Sequence, residues 1–317
     1  MGLRVHLITG FLGSGKTRLL RDLSAQLPGA IFMTSDTAPV PFDLALLDSS
    51  LARFDAGGCI CCAGKADALN NIAALAAASE ETTDLFVETS GMSDTAGLID
   101  DLAQVPGANL RTVVVLVDAS QPLDLLATIR EARGQLALAD FCLMTHLDAL
   151  SPEKSVERRD DAIAALRPLV HDDCTILVRP KIGELAHLFS AAPAPSRPWV
   201  DRGQIAGLSA HDMLKVSQVQ LSGMIEPADA WALAQAILCL NPRLLRFKMR
   251  TSVPIEPCEP SRDLIVQIVN GRLQPVEFIP STWAGETSGL LHMLDPNIGD
   301  MELRPLLELF FGSAVSL

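Results

Sequence analysis

LRVHLITGFLGSGKTRLLRDLSAQL, residues 3–27, decides the fold. Its first seven residues form a mostly apolar run of strand length. From Lys16 on, Leu19, Leu20, Leu23 and Leu27 recur at helical spacing. Between them GFLGSGKT, 10–17, fits G-x-x-x-x-G-K-[ST] and lies where phosphate binding needs it, after a strand and at the start of a helix. Gly10, Gly13 and Gly15 let the backbone curl so that its N–H groups and the helix N-terminus face phosphate oxygens. Lys16 would neutralise the β and γ phosphates, and Thr17 would ligate Mg²⁺ through its hydroxyl. A glycine turn with a chance Lys-Thr is the alternative, and the strand and helix on either side weigh against it.

Outward from this unit, short apolar runs recur at 30–34, 83–88, 112–118, 140–145 and 174–179, separated by enough chain for helices such as 66–79 and 122–138. Continuous rather than alternating apolar strands between helices predict an α/β domain, a mostly parallel sheet flanked by helices. SAAPAPSRP, 190–198, breaks the pattern with three prolines, which is linker chemistry. The expected organisation is a nucleotide-binding domain over 1–190, a linker over 191–205 and a smaller C-terminal α+β domain over 206–317. In the last, LKVSQVQL reads as a strand and PADAWALAQAIL as a helix. LIVQIVNGRLQPVEFI reads as two strands turning at Asn270-Gly271, and MELRPLLELFF as a closing helix.

Of the 317 residues 49% are hydrophobic and only 4% aromatic, so the core is expected to be aliphatic. A net charge of −13 disfavours nucleic acid, whose phosphates need clustered Lys and Arg. No apolar run approaches the roughly 20 residues of a membrane span. Seven cysteines without a secretory leader point to the cytoplasm and away from a disulfide framework.

Three of the seven, Cys59, Cys61 and Cys62, crowd into GGCICCAG, 57–64. By themselves they fit a soft metal site, disulfides or buried small residues. Thiolates suit Zn²⁺ and related ions, and Gly57 and Gly58 free the backbone to gather them. Cys142, Cys174, Cys239 and Cys258 sit in or beside apolar runs and are expected in the core, as is His6. Among the acids, Glu88 and Asp148 draw notice because they lie at C-terminal strand ends, where open α/β sheets bind ligands. Asp118 shares that placement. From Glu88 a carboxylate could hold a Mg²⁺-bound water, and the following Gly91 could sense the γ phosphate.

With GFLGSGKT, GGCICC, ETSG (88–91), QLALADFCLMTHLD (135–148) and, more weakly, LLRFKM (244–249) in this order, the chain resembles the CobW-type metallochaperone GTPases, relatives of the urease and hydrogenase nickel-insertion GTPases. The resemblance implies GTP held by Gly10, Gly13, Ser14, Gly15, Lys16, Thr17 and Arg18, with Asp36, Gly91, Thr145 and Asp148 completing the site. Lys16, Thr17 and Glu88 would serve catalysis, Thr17 and Glu88 on the Mg²⁺ side. Cys59, Cys61 and Cys62 would bind the transition metal, Zn²⁺, Co²⁺ or Ni²⁺, and a client metalloprotein would receive it. Apart from the resemblance, three thiols leave one position of a tetrahedral ion that a neighbouring subunit could fill, which leaves a homodimer open.

Several residues depart from the family pattern. Thr145 and His146 stand where the guanine-reading motif has Asn or Ser and then Lys, so Asp148 is left to read guanine without a stacking Lys. The first switch is SDTAPVPFD, with Asp36 in place of a Glu and Ala38 in place of a glycine; Asp43 matches a later Asp. Lys248-Met249 replaces Lys-Gly. No residue stands out to position the attacking water, so slow intrinsic turnover is expected. The alternatives are a small-molecule kinase, with Arg130 and Arg133 as its cations, and a nucleotide-binding scaffold with decayed hydrolysis.

Overall fold

The computed structural model describes residues 2–34, 53–55, 64–79, 83–120, 123–147, 152–178, 180–191, 215–222, 225–242, 244, 246–253, 262–269, 271–280, 287–295, 300–311 and 315–316. The chain divides into two compact units, Met1–Ala210 and His211–Leu317.

In the first unit seven strands, β1 (Leu3–Thr9), β2 (Ile31–Thr34), β3 (Arg53–Asp55), β4 (Thr83–Glu88), β5 (Ala108–Asp118), β6 (Phe141–Thr145) and β7 (Thr175–Val178), form one sheet in the order β3-β2-β4-β1-β5-β6-β7. Every pairing is parallel. Helices α1 (Lys16–Ser24), α2 (Lys65–Ala78), α3 (Thr95–Leu102), α4 (Asp124–Thr128), α5 (Arg130–Ala137), α6 (Pro152–Leu166) and α7 (Ile182–Ala191) connect the strands. The unbroken apolar runs follow from burial on both faces: six of the seven β1 residues and the four residues Leu85–Glu88 of β4 are buried. Leu19, Leu20 and Leu23 of α1 and Leu185 and Phe189 of α7 cover Ile8, Phe32, Phe86 and Leu116 on one face.

His6 sits within this layer, fully buried, stacked on Phe86 at 4.7 Å and edge-on to Phe189 at 5.2 Å. Its ring nitrogens meet Thr112 Oγ1 at 2.8 Å and Asp84 Oδ1 at 3.0 Å, and Arg4 donates to the same carboxylate. Burial lowers the His6 pKa despite the pull of Asp84. Burial raises that of Asp84, but the bonds from His6 and Arg4 outweigh it and hold the carboxyl below its usual range. Cys142 and Cys174 are buried, their thiols raised by burial, Cys174 to about 11.

Three expectations need correction. The helix expected over 122–138 is two helices, because Ile129, buried, takes an extended backbone (φ −86°, ψ 122°). β5 starts at Ala108, four residues before the apolar run, since Leu3–Val5 of β1 supply partners for its polar N-terminal end. Cys239 is exposed, on the solvent side of its helix. Cys258 lies outside the described residues.

The second unit holds an antiparallel sheet of β8 (Lys215–Ser222), β9 (Arg246–Val253), β10 (Arg262–Val269), β11 (Arg272–Leu273), β12 (Glu277–Pro280), β13 (Thr287–Asp295) and β14 (Val315–Ser316). Val269 pairs with Arg272, leaving a two-residue turn whose Gly271 has φ +69°, as a hairpin of this length needs. The returning strand is interrupted at 274–276 around Pro275 and resumes as β12 on the same partner. Helices α8 (Pro227–Leu240) and α9 (Asp300–Phe311) bury Leu233, Ile237 and Leu307 with Phe247, Met249, Val266 and Leu291. On the opposite face of β9 and β10 Arg250 and Asp263 form a buried ion pair at 2.6 Å, and Ser252 Oγ donates to the other carboxylate oxygen at 3.0 Å.

Candidate nucleotide site

β1, β4, β5 and β6 all end at one edge of the sheet, with Ile8 beside Glu88 and Asp118 beside Thr145. The chain reverses direction in strand order at β1, the switch point where such sheets leave a crevice. The glycine loop after β1 takes the backbone its sequence demands. Gly10, Gly13 and Gly15 have φ of +137°, +76° and +93°. A Cβ on Gly10 would lie 2.3 Å from the Leu116 carbonyl oxygen, so only glycine lets the loop cross β5 this closely. Gly15 caps α1 without a side-chain bond, and the first turn carries no acid. The positive end of the helix is thereby left to an anion. Lys16, buried, donates from Nζ to the carbonyl oxygens of Gly10 (2.7 Å) and Phe11 (3.1 Å), across the curl of the loop.

Thr17 Oγ1 donates to Glu88 Oε1 at 2.8 Å. Two residues 71 apart in sequence thus place a hydroxyl and a carboxylate side by side at the head of α1. That is a hard-oxygen pair suited to Mg²⁺. Glu88 is buried at the last position of β4, as the sequence led one to expect. Beyond it Thr89 Oγ1 donates to Thr9 Oγ1 (2.7 Å), and Gly91 packs on the phosphate loop so tightly that a Cβ there would lie 2.8 Å from the Leu12 nitrogen.

On the other side of α1, Thr145 Oγ1 donates to the carbonyl oxygens of Ser14 (2.9 Å) and Val117 (3.1 Å). His146 follows with φ +59°, the left-handed region that non-glycine residues seldom occupy. Its ring lies beside Gly15, and with Arg18, Asp22, Leu147 and Pro180 it lines a cavity of about 410 Å³. Asp118 is engaged locally, accepting from the Ser120 N–H at 2.9 Å in its own turn. Arg130 is half exposed against Glu131, a solvated face rather than a phosphate clamp.

The structure therefore gathers Gly10, Gly13, Ser14, Gly15, Lys16, Thr17, Arg18, Glu88, Gly91 and Thr145 around one sheet edge. Asp36, Cys59, Cys61, Cys62 and Asp148 lie outside the described residues, as does Asp43 of the first switch. Sequence reasoning overlooked the Thr9–Thr89 bond and Gln135, whose amide reaches the loop after Glu88 from α5. The quoted run QLALAD was the only signal for the latter.

Residues 4–171, just over half of the chain, match the CobW/HypB/UreG nucleotide-binding domain. The chain belongs to this family. It is 29% identical over 181 residues to the zinc chaperone YeiR of Escherichia coli strain K12, covering 54% of this chain and 55% of that one. To the zinc chaperone YjiA of the same strain it is 27% identical over 180 residues, covering 52% and 56%. It thus spans about half the length of these relatives. The crystal structure of Zn(II)-bound YjiA GTPase from E. coli aligns over 98% of this chain and 99% of that one, with 18% identity and a TM-score of 0.41. Among the described residues no helix is long and apolar enough to cross a membrane.

Proposed function

We propose that the chain is a GTPase that binds a transition metal through Cys59, Cys61 and Cys62 and releases it to a client protein under control of the bound nucleotide. The observation that carries the nucleotide half is the Thr17–Glu88 contact at 2.8 Å over a phosphate loop whose glycines hold positive φ. Lys16 would exchange the Gly10 and Phe11 carbonyls for phosphate oxygens, and the N–H groups at the head of α1 would hold the same oxygens. Thr17 and Glu88 would hold Mg²⁺, which when bound neutralises charge developing on the transferred phosphoryl group. The cavity beside Gly15, His146 and Leu147 has room for a base. We favour guanine, with Asp148 as its reader.

For the metal half, family membership and the zinc-chaperone relatives favour Zn²⁺ among ions that thiolates hold. β3 ends at Asp55, at the same edge of the wholly parallel sheet where β1 and β4 end, and Cys59, Cys61 and Cys62 follow it closely in sequence. Loss of the γ phosphate could therefore reorder the ligands, a switch by ordering and release.

The test measures Zn²⁺ and Co²⁺ stoichiometry and affinity for the full chain, empty, with Mg²⁺-GDP and with Mg²⁺-GTPγS. The same measurements are made on a variant with Cys59, Cys61 and Cys62 all changed to Ser. The reading requires loss of high-affinity metal in the variant and an affinity in the parent that depends on the nucleotide. Equal metal binding by both proteins would remove the cysteine assignment, and equal affinity in the three states would remove the delivery mechanism.

A further inference from the structure

The run QLALAD, 135–140, places two buried polar side chains behind the site. Asp140 has a structural use: it accepts from the Val113 N–H at 2.7 Å and pins the start of β6 to β5. Gln135 has no comparable local partner. It is 1% exposed on α5, and its Nε2 donates across the core to the carbonyl oxygens of Gly91 and Ser93, both at 3.3 Å. Its Oε1 is buried and finds no hydrogen-bond partner among the described residues. A leucine would fill the same volume without that desolvation cost, so the amide is explained by what its NH₂ group holds.

It holds a short stretch with little freedom elsewhere. Thr89 is tied by its N–H to the Ile8 carbonyl (3.0 Å) and by its hydroxyl to Thr9. Ser93 N–H closes a turn onto Ser90 (3.0 Å). Gly91 lies between the Leu12 backbone on one side and the Gln135 amide on the other.

We propose that Gln135 is a positioning residue for GTP hydrolysis, clamping the backbone of residues 91–93 against the phosphate loop so that Gly91 meets the γ phosphate. This rests on the GTPase reading above. The clamp acts on a part of the site that a diphosphate does not reach. Its removal must therefore separate triphosphate from diphosphate, which a general loss of packing would not do.

The test uses the full chain with Mg²⁺, as parent, Gln135→Leu and Gln135→Glu, titrated with GDP and GTPγS and followed through a single turnover of GTP. Two long, neutral hydrogen bonds lie at the weak end of the usual range, so Gln135→Leu should lower GTPγS affinity and hydrolysis by about tenfold, with GDP affinity within about twofold of the parent. Gln135→Glu has nearly the same shape, but when ionised it faces two carbonyl oxygens with no donor. Its deficit should shrink as pH falls from about 8 to about 6, because burial raises the carboxyl pKa and the protonated form regains one donor. Parallel loss of GDP and GTPγS affinity, no loss of either, or a pH-independent deficit in Gln135→Glu would overturn the proposal. If Gln135→Leu does not fold, Gln135→Glu decides alone. A parent that binds neither nucleotide would instead overturn the GTPase reading.

Discussion

Gly91→Ala tests the contact on which the candidate site turns. The added methyl would sit 2.8 Å from both the nitrogen and Cδ2 of Leu12 and 3.1 Å from its Cα. Leu12 Cδ2 ends a flexible side chain and can rotate away, whereas the nitrogen belongs to the phosphate loop, held by Lys16 and by the crossing of Gly10 over Leu116. Ordinary contact begins near 3.4 Å, so full relief would need the two backbones to separate by about 0.6 Å. Two outcomes are open to the molecule. If the loops stay in place, the overpacking costs about 1–3 kcal/mol, and in a unit of this size each kcal/mol lowers Tm by about 2–4 °C. If the 91–93 stretch withdraws instead, Tm holds but a reacting group is displaced by much of an ångström, a shift that costs up to about 100-fold in rate. Thermal melting read beside single-turnover hydrolysis separates the two. An alanine variant with the parent's Tm, GTPγS affinity and turnover would refute the packing of Gly91 on the phosphate loop.

Thr17→Val removes the hydroxyl that Glu88 accepts from and should weaken GDP binding in Mg²⁺ by tenfold or more while leaving binding in EDTA nearly unchanged, as hydroxyl-to-ion contacts exceed neutral hydrogen bonds; equal losses in both buffers would contradict the Mg²⁺ assignment. The lowered pKa of His6 means that the unfolded chain takes up a proton the folded chain refuses, so its stability contribution is complete above the ordinary value of 6.5 and is lost as pH falls below it. The depressed Asp84 works in the same direction only at lower pH, below its ordinary 3.8. Tm measured from pH 8 to 5 should fall less steeply for His6→Gln than for the parent, and parallel slopes would contradict the burial argument. In the second unit, Arg250→Met strands a buried Asp263 and should cost about 3–5 kcal/mol, while Arg250→Met with Asp263→Leu should recover most of it; a double variant as unstable as the single would show that the pair is not the source.

What the sequence made legible follows from where the constraint is local. Gly10, Gly13 and Gly15 announce positive φ, which is costly for other residues, and Glu88 announces its place because it closes an apolar run of strand length between two helical stretches. The break at Ile129 was hidden for the opposite reason. Leu123, Leu126, Ile129, Ala132 and Leu136 keep helical spacing through it, and all are buried, so the apolar face is continuous while the backbone is not. The polar start of β5 gave no strand signal because its pairing with Leu3–Val5 is set by β1. Gln135 was out of reach in the same sense: its partners lie 44 and 42 residues away, and nothing in a single helix tells which buried amide will find a loop.

Thr145 stands where a base held beside Gly15 and His146 would be read. Thr145 has one hydroxyl hydrogen, and the carbonyls of Ser14 and Val117, at 2.9 and 3.1 Å, share it. Nothing remains to donate to a base. An Asn amide, by contrast, carries two hydrogens and could keep the Ser14 carbonyl with one and offer the other to the cavity beside Gly15 and His146. N7 accepts in both purines, but at position 6 guanine presents an acceptor oxygen where adenine presents a donor amine. Thr145→Asn should therefore shift the ratio of GDP to ADP affinity toward GDP, by about five- to tenfold for one added hydrogen bond, while leaving phosphate contacts and Mg²⁺ dependence as they are. Competition titrations of the parent and variant measure this ratio directly. If the ratio is unchanged while both affinities fall, the Thr145 hydroxyl matters for anchoring the phosphate loop, and base selection lies wholly with other residues.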